Sequence, residues 1–291
     1  MPRAVILTAI SVEYRAVRAN LKQLTRHPYR ENYEQGTFSA NGQVWDVRIA
    51  ATGPGNILAA LQTERAIACF NPDVILFVGV AGGIKDVRLG DVVCATKVYG
   101  YESGKVEKVN LPRANFGLSA FNLEEIARSE ANSNDWINRL ACLKKDAGTR
   151  GRGDTETREF SSLVVNQSLW ESDSTPAVLV APIASGEKVI ASKESQVFKF
   201  LRTHYGDAVA VEMEGIGFLN ATHANPQVSA MVIRGISDLI DGKSEADAQG
   251  YQEIAACHAS AFAFEVLAKF IVRNRPFTLG KTILNLPLKK N

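Results

Sequence analysis

Short apolar runs rich in β-branched residues recur along this chain, separated by stretches in which apolar residues follow helical spacing. No other feature constrains the fold so tightly, because strands that alternate with crossover helices form a largely parallel sheet covered on both faces. Strands are predicted at 4–9, 44–51, 74–78, 91–98, 177–181, 208–211 and 229–233. Helices are predicted at 12–24, after Asn56 through the apolar positions Ile57, Leu58, Leu61, Ile67 and Ala68, around 123–127, after Lys193, after Gly215 and over 253–272. Val74-Ile75-Leu76-Phe77-Val78 is apolar at every position, which places it at the centre of the sheet. Thr52-Gly53-Pro54-Gly55-Asn56 and Gly79-Val80-Ala81-Gly82-Gly83 read as sharp turns.

The 291 residues, 46% hydrophobic and 22% charged, have the composition of an ordinary globular chain and suffice for one large α/β domain. The domain is read as 1–272, with an insert at about 101–178 and a tail at 273–291 that mixes apolar and basic residues. A net charge of +2, from 33 basic and 31 acidic residues, offers no field for nucleic acid or an anionic membrane, so neither is expected as a partner. Apolar runs are too short for a membrane span or a signal-peptide core. Cys69, Cys94, Cys142 and Cys257 form no CxxC pair, as expected in a reducing, cytoplasmic setting. His27, His204, His223 and His258 share no ligand spacing; neither a metal nor another cofactor is expected.

Carboxylates stand where several strands end, the edge at which open α/β sheets bind ligands. Glu13 follows the first strand; read on its position alone, it is an acid favouring the dipole of a first helical turn. Glu212 and Glu214 flank Met213 after an apolar strand and point to the same side of an extended segment. They suit either vicinal hydroxyls of a ligand or a solvated turn. Asp238 closes Arg234-Gly235-Ile236-Ser237-Asp238, where it serves as a proton donor held by Arg234 or Ser237, or else as a helix N-cap.

Taken together, Thr52-Gly53-Pro54-Gly55-Asn56, Asn71-Pro72-Asp73-Val74-Ile75 with Gly79-Val80-Ala81-Gly82-Gly83, Gly90-Asp91-Val92-Val93, Val211-Glu212-Met213-Glu214 and Arg234-Gly235-Ile236-Ser237-Asp238 resemble the methylthioadenosine/S-adenosylhomocysteine nucleosidases and the related purine nucleoside phosphorylases. The resemblance covers residue 4 to about 100 and about 179 to 270. It implies a single three-layer α/β/α domain with a central twisted mixed sheet flanked by helices, acting as a homo-oligomer, a dimer or higher. The activity it implies is hydrolysis of the N-ribosidic bond of an adenine nucleoside or nucleotide. Such a reaction needs an acid for the leaving base, a cradle for the sugar and a nucleophile on the opposite face of the ring. By the resemblance, Glu13 activates water and Asp238, beside Ser237, is the acid toward the purine. Met213 and Glu214 hold the ribose, Glu212 borders the sugar site and Ala81 with Gly82 forms the pocket floor. Ile183-Ala184-Ser185-Gly186-Glu187-Lys188-Val189-Ile190 matches the base-binding strand, with Val189 and Ile190 reading the purine edge.

Two departures shape this reading. Val80 stands where family members often carry a serine that donates to the nucleophile or phosphate, and valine donates nothing, which favours hydrolysis over phosphorolysis. Val189 replaces the aromatic ring that usually stacks on the base. In the insert, Arg150, Arg152 and Arg158 are candidates for gripping a phosphate chain, although a charged loop is ordinarily solvated surface. Tyr99-Gly100-Tyr101-Glu102-Ser103-Gly104-Lys105 weakly resembles the nucleosidase domains of bacterial antiviral effectors. The rival readings are a phosphorylase using Arg48, Arg65 or Arg88 for phosphate, and a non-catalytic nucleotide sensor.

Overall fold

The computed structural model describes residues 1–28, 30, 32–108, 110–113, 115–140 and 175–272. The chain opens with β1 (Arg3–Thr8), α1 (Ser11–Arg18), β2 (Lys22–Arg26), β3 (Glu34–Ala40), β4 (Gln43–Ala51), α2 (Asn56–Phe70), β5 (Val74–Gly83) and β6 (Val92–Gly100). It continues with β7 (Gly104–Val106), β8 (Asn110–Pro112), β9 (Phe116–Leu118), α3 (Phe121–Ser133), β10 (Val178–Ser185), α4 (Gln196–His204), β11 (Ala210–Glu212) and α5 (Gly215–His223). Last come β12 (Ser229–Asp238), α6 (Lys243–Ala248) and α7 (Tyr251–Lys269).

These strands build a twisted mixed sheet in the order β11-β10-β6-β12-β5-β1-β4-β3-β2, with β9 paired to β6 and β7 to β8 in a separate ribbon. Alternate residues along β1 and β5 serve opposite faces: Ile6 and Leu76 pack with α1 and α7, Val5 and Ile75 with α2 and α5. The result is the three-layer α/β/α architecture. The tip of β5 also pairs antiparallel with β11, Gly82 to Val211 and Gly83 to Ala210, so the sheet curls and gathers the ends of β5, β11 and β12.

Several sequence expectations need correction. Residues 12–24 are not one helix, because α1 stops at Arg18 and the chain returns as β2. The Gly79–Gly83 segment is no turn; β5 runs through it, paired with β12 from Arg234 to Asp238. By contrast, Gly53 and Gly55 have φ of 81° and 101°, conformations that make glycine the natural residue in the turn before α2. Strand β10 ends at Ser185, so 186–190 form a loop rather than a base-binding strand. On α2 the predicted apolar face is only partly the buried one. Ile57, Leu58 and Leu61 are exposed by 79%, 41% and 44%, while Ala59, Thr63, Ala66, Ile67 and Phe70 face the core.

Candidate active site

Where β5, β11 and β12 converge, a cavity of about 230 Å³ opens, lined by Glu13, Val80, Ala81, Gly82, Val189, Ile190, Glu212, Met213, Glu214, Ser237 and Asp238. Residues named separately in the sequence thus stand around one space. Lys188, Lys243 and Gln252 complete its charged and polar wall.

The innermost part is a cluster of charges around Arg234, which is fully buried in β12 and stacks 4.8 Å from the centre of the Phe77 ring. Its Nη2 contacts the Glu212 carboxylate and lies 3.1 Å from Glu214 Oε2; Nη1 faces Glu13 Oε1 at 4.0 Å. Burial alone works against the guanidinium charge, but the three carboxylates more than offset it and raise the Arg234 pKa. Buried ions require such partners: removing one member of a buried pair typically costs about 3–5 kcal/mol.

Each carboxylate has a different degree of engagement. Glu13 Oε2 accepts from the backbone N–H groups of Ala9 (2.7 Å) and Ile10 (3.0 Å), and Oε1 accepts from Val80 N–H at 2.8 Å. The residue caps the first turn of α1 and also lines the cavity. Burial raises its pKa against the opposing pull of Arg234 and these N–H groups. Glu212 spends both oxygens on the backbone N–H groups of Glu214 and Gly215 and on Arg234, which makes it a brace for the start of α5. Glu214 accepts one bond on each oxygen, from Gly55 N–H at 3.0 Å and from Arg234, so each oxygen retains a lone pair for a ligand hydroxyl. Burial raises the Glu214 pKa to about 7, with Arg234 opposing and Glu212 reinforcing the shift.

At the other end stands Asp238. The register of β12 on β5 shifts between Ile236 and Asp238, and a bulge of this kind re-aims a side chain. Asp238 Oδ1 accepts from Ile240 N–H at 3.1 Å, while Oδ2 lies 3.1 Å from both Ser237 Oγ and Lys243 Nζ. Two alternatives from the sequence therefore fall away. Arg234 does not hold Asp238, because it turns toward the other carboxylates; and Asp238 does not cap α6, whose N-cap is Gly242. The 186–190 loop is fastened to the start of α2: Asn56 N–H donates to Glu187 Oε1 at 3.2 Å and Asn56 Nδ2 to Gly186 O at 3.3 Å.

Sequence reasoning missed Lys243 entirely and misplaced the role of Arg234. Both act through partners distant along the fold, and a lysine after Asp241-Gly242 carries no distinctive signal. Arg48 and Arg88, weighed for a phosphate site, are absent from the cavity wall and pair with Asp46 and Asp91; Arg65 does not line it either. Arg150, Arg152 and Arg158 lie outside the described residues, as do the 273–291 tail and most of the insert beyond Leu140. No helix among the described residues is long and apolar enough to cross a membrane.

A doubly covered mixed sheet whose gathered strand ends hold a carboxylate-lined pocket defines a three-layer α/β protein with its pocket at the strand ends. More particularly, the chain belongs to the Phosphorylase superfamily, whose family model matches residues 3–271. It is similar in structure to the futalosine hydrolase of Helicobacter pylori, with a TM-score of 0.68, 20% identity, and coverage of 92% of this chain and 98% of that one. A 5′-methylthioadenosine/S-adenosylhomocysteine nucleosidase from Neisseria meningitidis, in complex with methylthio-immucillin-A, gives a TM-score of 0.64 at 21% identity, covering 93% and 100%. In sequence, the uncharacterized protein y4jS of Sinorhizobium fredii is 26% identical over 216 residues. That alignment takes in 73% of this chain and 48% of the relative, so the chain spans about half the length of that curated relative.

Proposed function

We propose that the protein hydrolyses the N-ribosidic bond of a purine nucleoside or nucleotide, adenine-containing ones among them. One observation carries this reading: Glu13, which stands against Gly79 of β5, and Asp238, which stands against Gly82, line a single cavity together with Met213 and Glu214. In the proposed reaction, water attacks the anomeric carbon as the bond to the purine breaks, Glu13 takes the water's proton, and Asp238 delivers a proton to N7 of the departing base. A carboxyl raised by burial is a stronger base toward water, which suits Glu13 to this role. Glu214 accepts bonds from the ribose hydroxyls, and Met213 packs against the sugar. Hydrolysis is favoured over phosphorolysis because Val80 adds an apolar residue to the cavity wall, no arginine among the described residues lines it, and Arg234 behind it is occupied by carboxylates.

The test is to incubate the protein with a panel of purine nucleosides and nucleotides, with and without phosphate, and identify the products. Free base and free sugar are expected in either condition, and sugar 1-phosphate would transfer the protein to the phosphorolytic reading. Glu13→Gln and Asp238→Asn should each slow base release by about 10² to 10⁴-fold while the fold persists, because the amides keep the shape but lose the proton chemistry. Full turnover in either variant would remove that residue from the mechanism. Substrate binding without turnover of any purine compound by the wild type would favour the sensor instead.

The protein is also proposed to work as a homo-oligomer, with the exposed stripe Ile57, Leu58 and Leu61 of α2 covered by a second copy.

A further inference from the structure

The charged group nearest the proposed proton donor is an ammonium that no part of the reaction above uses. Lys243 Nζ stands 3.1 Å from Asp238 Oδ2, its side chain is 26% exposed, and the residue lines the cavity. Of its three donors, one serves Asp238; the second carboxylate in reach, Asp247 Oδ2, lies at 3.6 Å, beyond a good hydrogen bond. Donor capacity therefore remains for a ligand.

The chain is bent at some cost to put Lys243 there. Between Asp238 and Lys243, Ile240 has φ of 73° and Gly242 has φ of 75°. A left-handed conformation is costly for a β-branched residue and persists only where surroundings impose it, which happens chiefly at functional sites. Here the surroundings do impose it: Ile240 is fully buried, its N–H donates to Asp238, and Asp241 Oδ1 accepts from the Lys193 N–H at 2.8 Å. The turn that carries Lys243 is thus clamped both to the proposed acid and to the segment following the 186–190 loop.

We propose that Lys243 is a specificity-determining residue that reads position 6 of the purine and admits 6-oxopurines. The inference rests on the nucleosidase reading, in which Asp238 meets N7. On that edge of a purine the group next to N7 is the 6-substituent: a donor amine in adenine, an acceptor carbonyl in hypoxanthine or guanine. The Asp238 carboxyl that hands its proton to N7 leaves only an acceptor oxygen for position 6, which takes the amine and repels the carbonyl. An ammonium beside that carboxyl reverses the preference, because it donates to O6 as lysine does to guanine in nucleic acids. The Asp238–Lys243 pair accordingly offers position 6 an acceptor and a donor side by side, where aspartate alone, its proton committed to N7, would offer that position only the first.

The experiment compares inosine with adenosine, which differ on this edge only at position 6, in the wild type, Lys243→Met and Lys243→Arg. The expected result is that the wild type cleaves inosine at least as well as adenosine, that Lys243→Met lowers the inosine-to-adenosine ratio of kcat/KM by about tenfold or more, and that Lys243→Arg largely retains it. A lysine that merely braces Asp238 would depress both substrates equally and leave the ratio unchanged, which would overturn the proposal, as would rejection of inosine by the wild type. Should the wild type cleave neither nucleoside, calorimetric binding of free hypoxanthine and adenine decides the matter separately from the catalytic reading. A hypoxanthine preference that disappears in Lys243→Met supports the inference, and equal binding of the two bases by the wild type refutes it.

Discussion

Glu214 shows how a single buried carboxyl links ionisation to both stability and activity. Burial raises it from an ordinary 4.5 to about 7, so the folded protein binds this proton more tightly than the unfolded chain does. The sign follows from linkage: stability contributed by this group is fully present below about pH 4.5 and is lost as pH rises through about 7. Activity should run the other way, since the ionised form is the one that accepts bonds from two sugar hydroxyls. We expect kcat/KM to climb as pH rises through about 7 while the stability of the wild type relative to Glu214→Gln declines over the same interval. Paired pH profiles of turnover and of denaturant midpoint measure both, and a flat stability difference across that range would show that Glu214 stays ionised throughout.

At the scale of elements, β5 matters as much for what its residues lack as for what they carry. A Cβ on Gly79 would lie 2.1 Å from Arg234 Nη1 and 2.5 Å from Glu13 Oε1, so this position keeps the guanidinium and the carboxylate in their places. Gly79→Ala should therefore lower stability by about 1–3 kcal/mol, as overpacking of a filled interior does, and cut base release well beyond what that loss explains. Gly206→Ala, where an added Cβ meets only Arg202 O at 3.5 Å, serves as the control and should leave both properties near wild type in urea unfolding and turnover assays. The same glycines explain where the sequence misleads. A Gly-Val-Ala-Gly-Gly run has the composition of a turn, yet here the missing side chains make room for buried charges inside a strand. Strands β1, β5 and β12 were legible because continuous burial on both faces leaves a continuous apolar run. Strands β2 and β3 were not, since Lys22-Gln23-Leu24-Thr25-Arg26 and Glu34-Gln35-Gly36-Thr37 lie at the sheet edge, where polar residues hide the pattern. Likewise Glu13, Glu212, Glu214 and Asp238 could be picked out because they end apolar runs or follow them. The Lys243–Asp238 contact depends on the left-handed turn at Ile240, which local propensity argues against.

For the whole molecule, the outward face of α2 is the surface proposed above for association. Ile57, Leu58 and Leu61 occupy positions that a sequence reading assigns to the core, yet they face outward beside α5, the helix on which α2 packs. Strand β9 packs on that same α5 and exposes Phe116 and Leu118. Contiguous exposed apolar surface commonly marks an interaction site. A second copy suits it because a two-fold axis through the patch sets each apolar stripe against its own equivalent, the self-complementary arrangement of most homodimers. Light scattering coupled to gel filtration should then give a mass at least twice the 31.6 kDa of one chain. Replacing Ile57 and Leu61 together by glutamate should return it to one chain without unfolding, since neither side chain contributes to the buried face of α2. Because Gly55 and Asn56 at the head of α2 hold Glu214 and the 186–190 loop, dissociation should also weaken substrate binding, seen as a higher KM in the double variant. A wild type that runs at 31.6 kDa at micromolar concentration would show that no second copy covers this face.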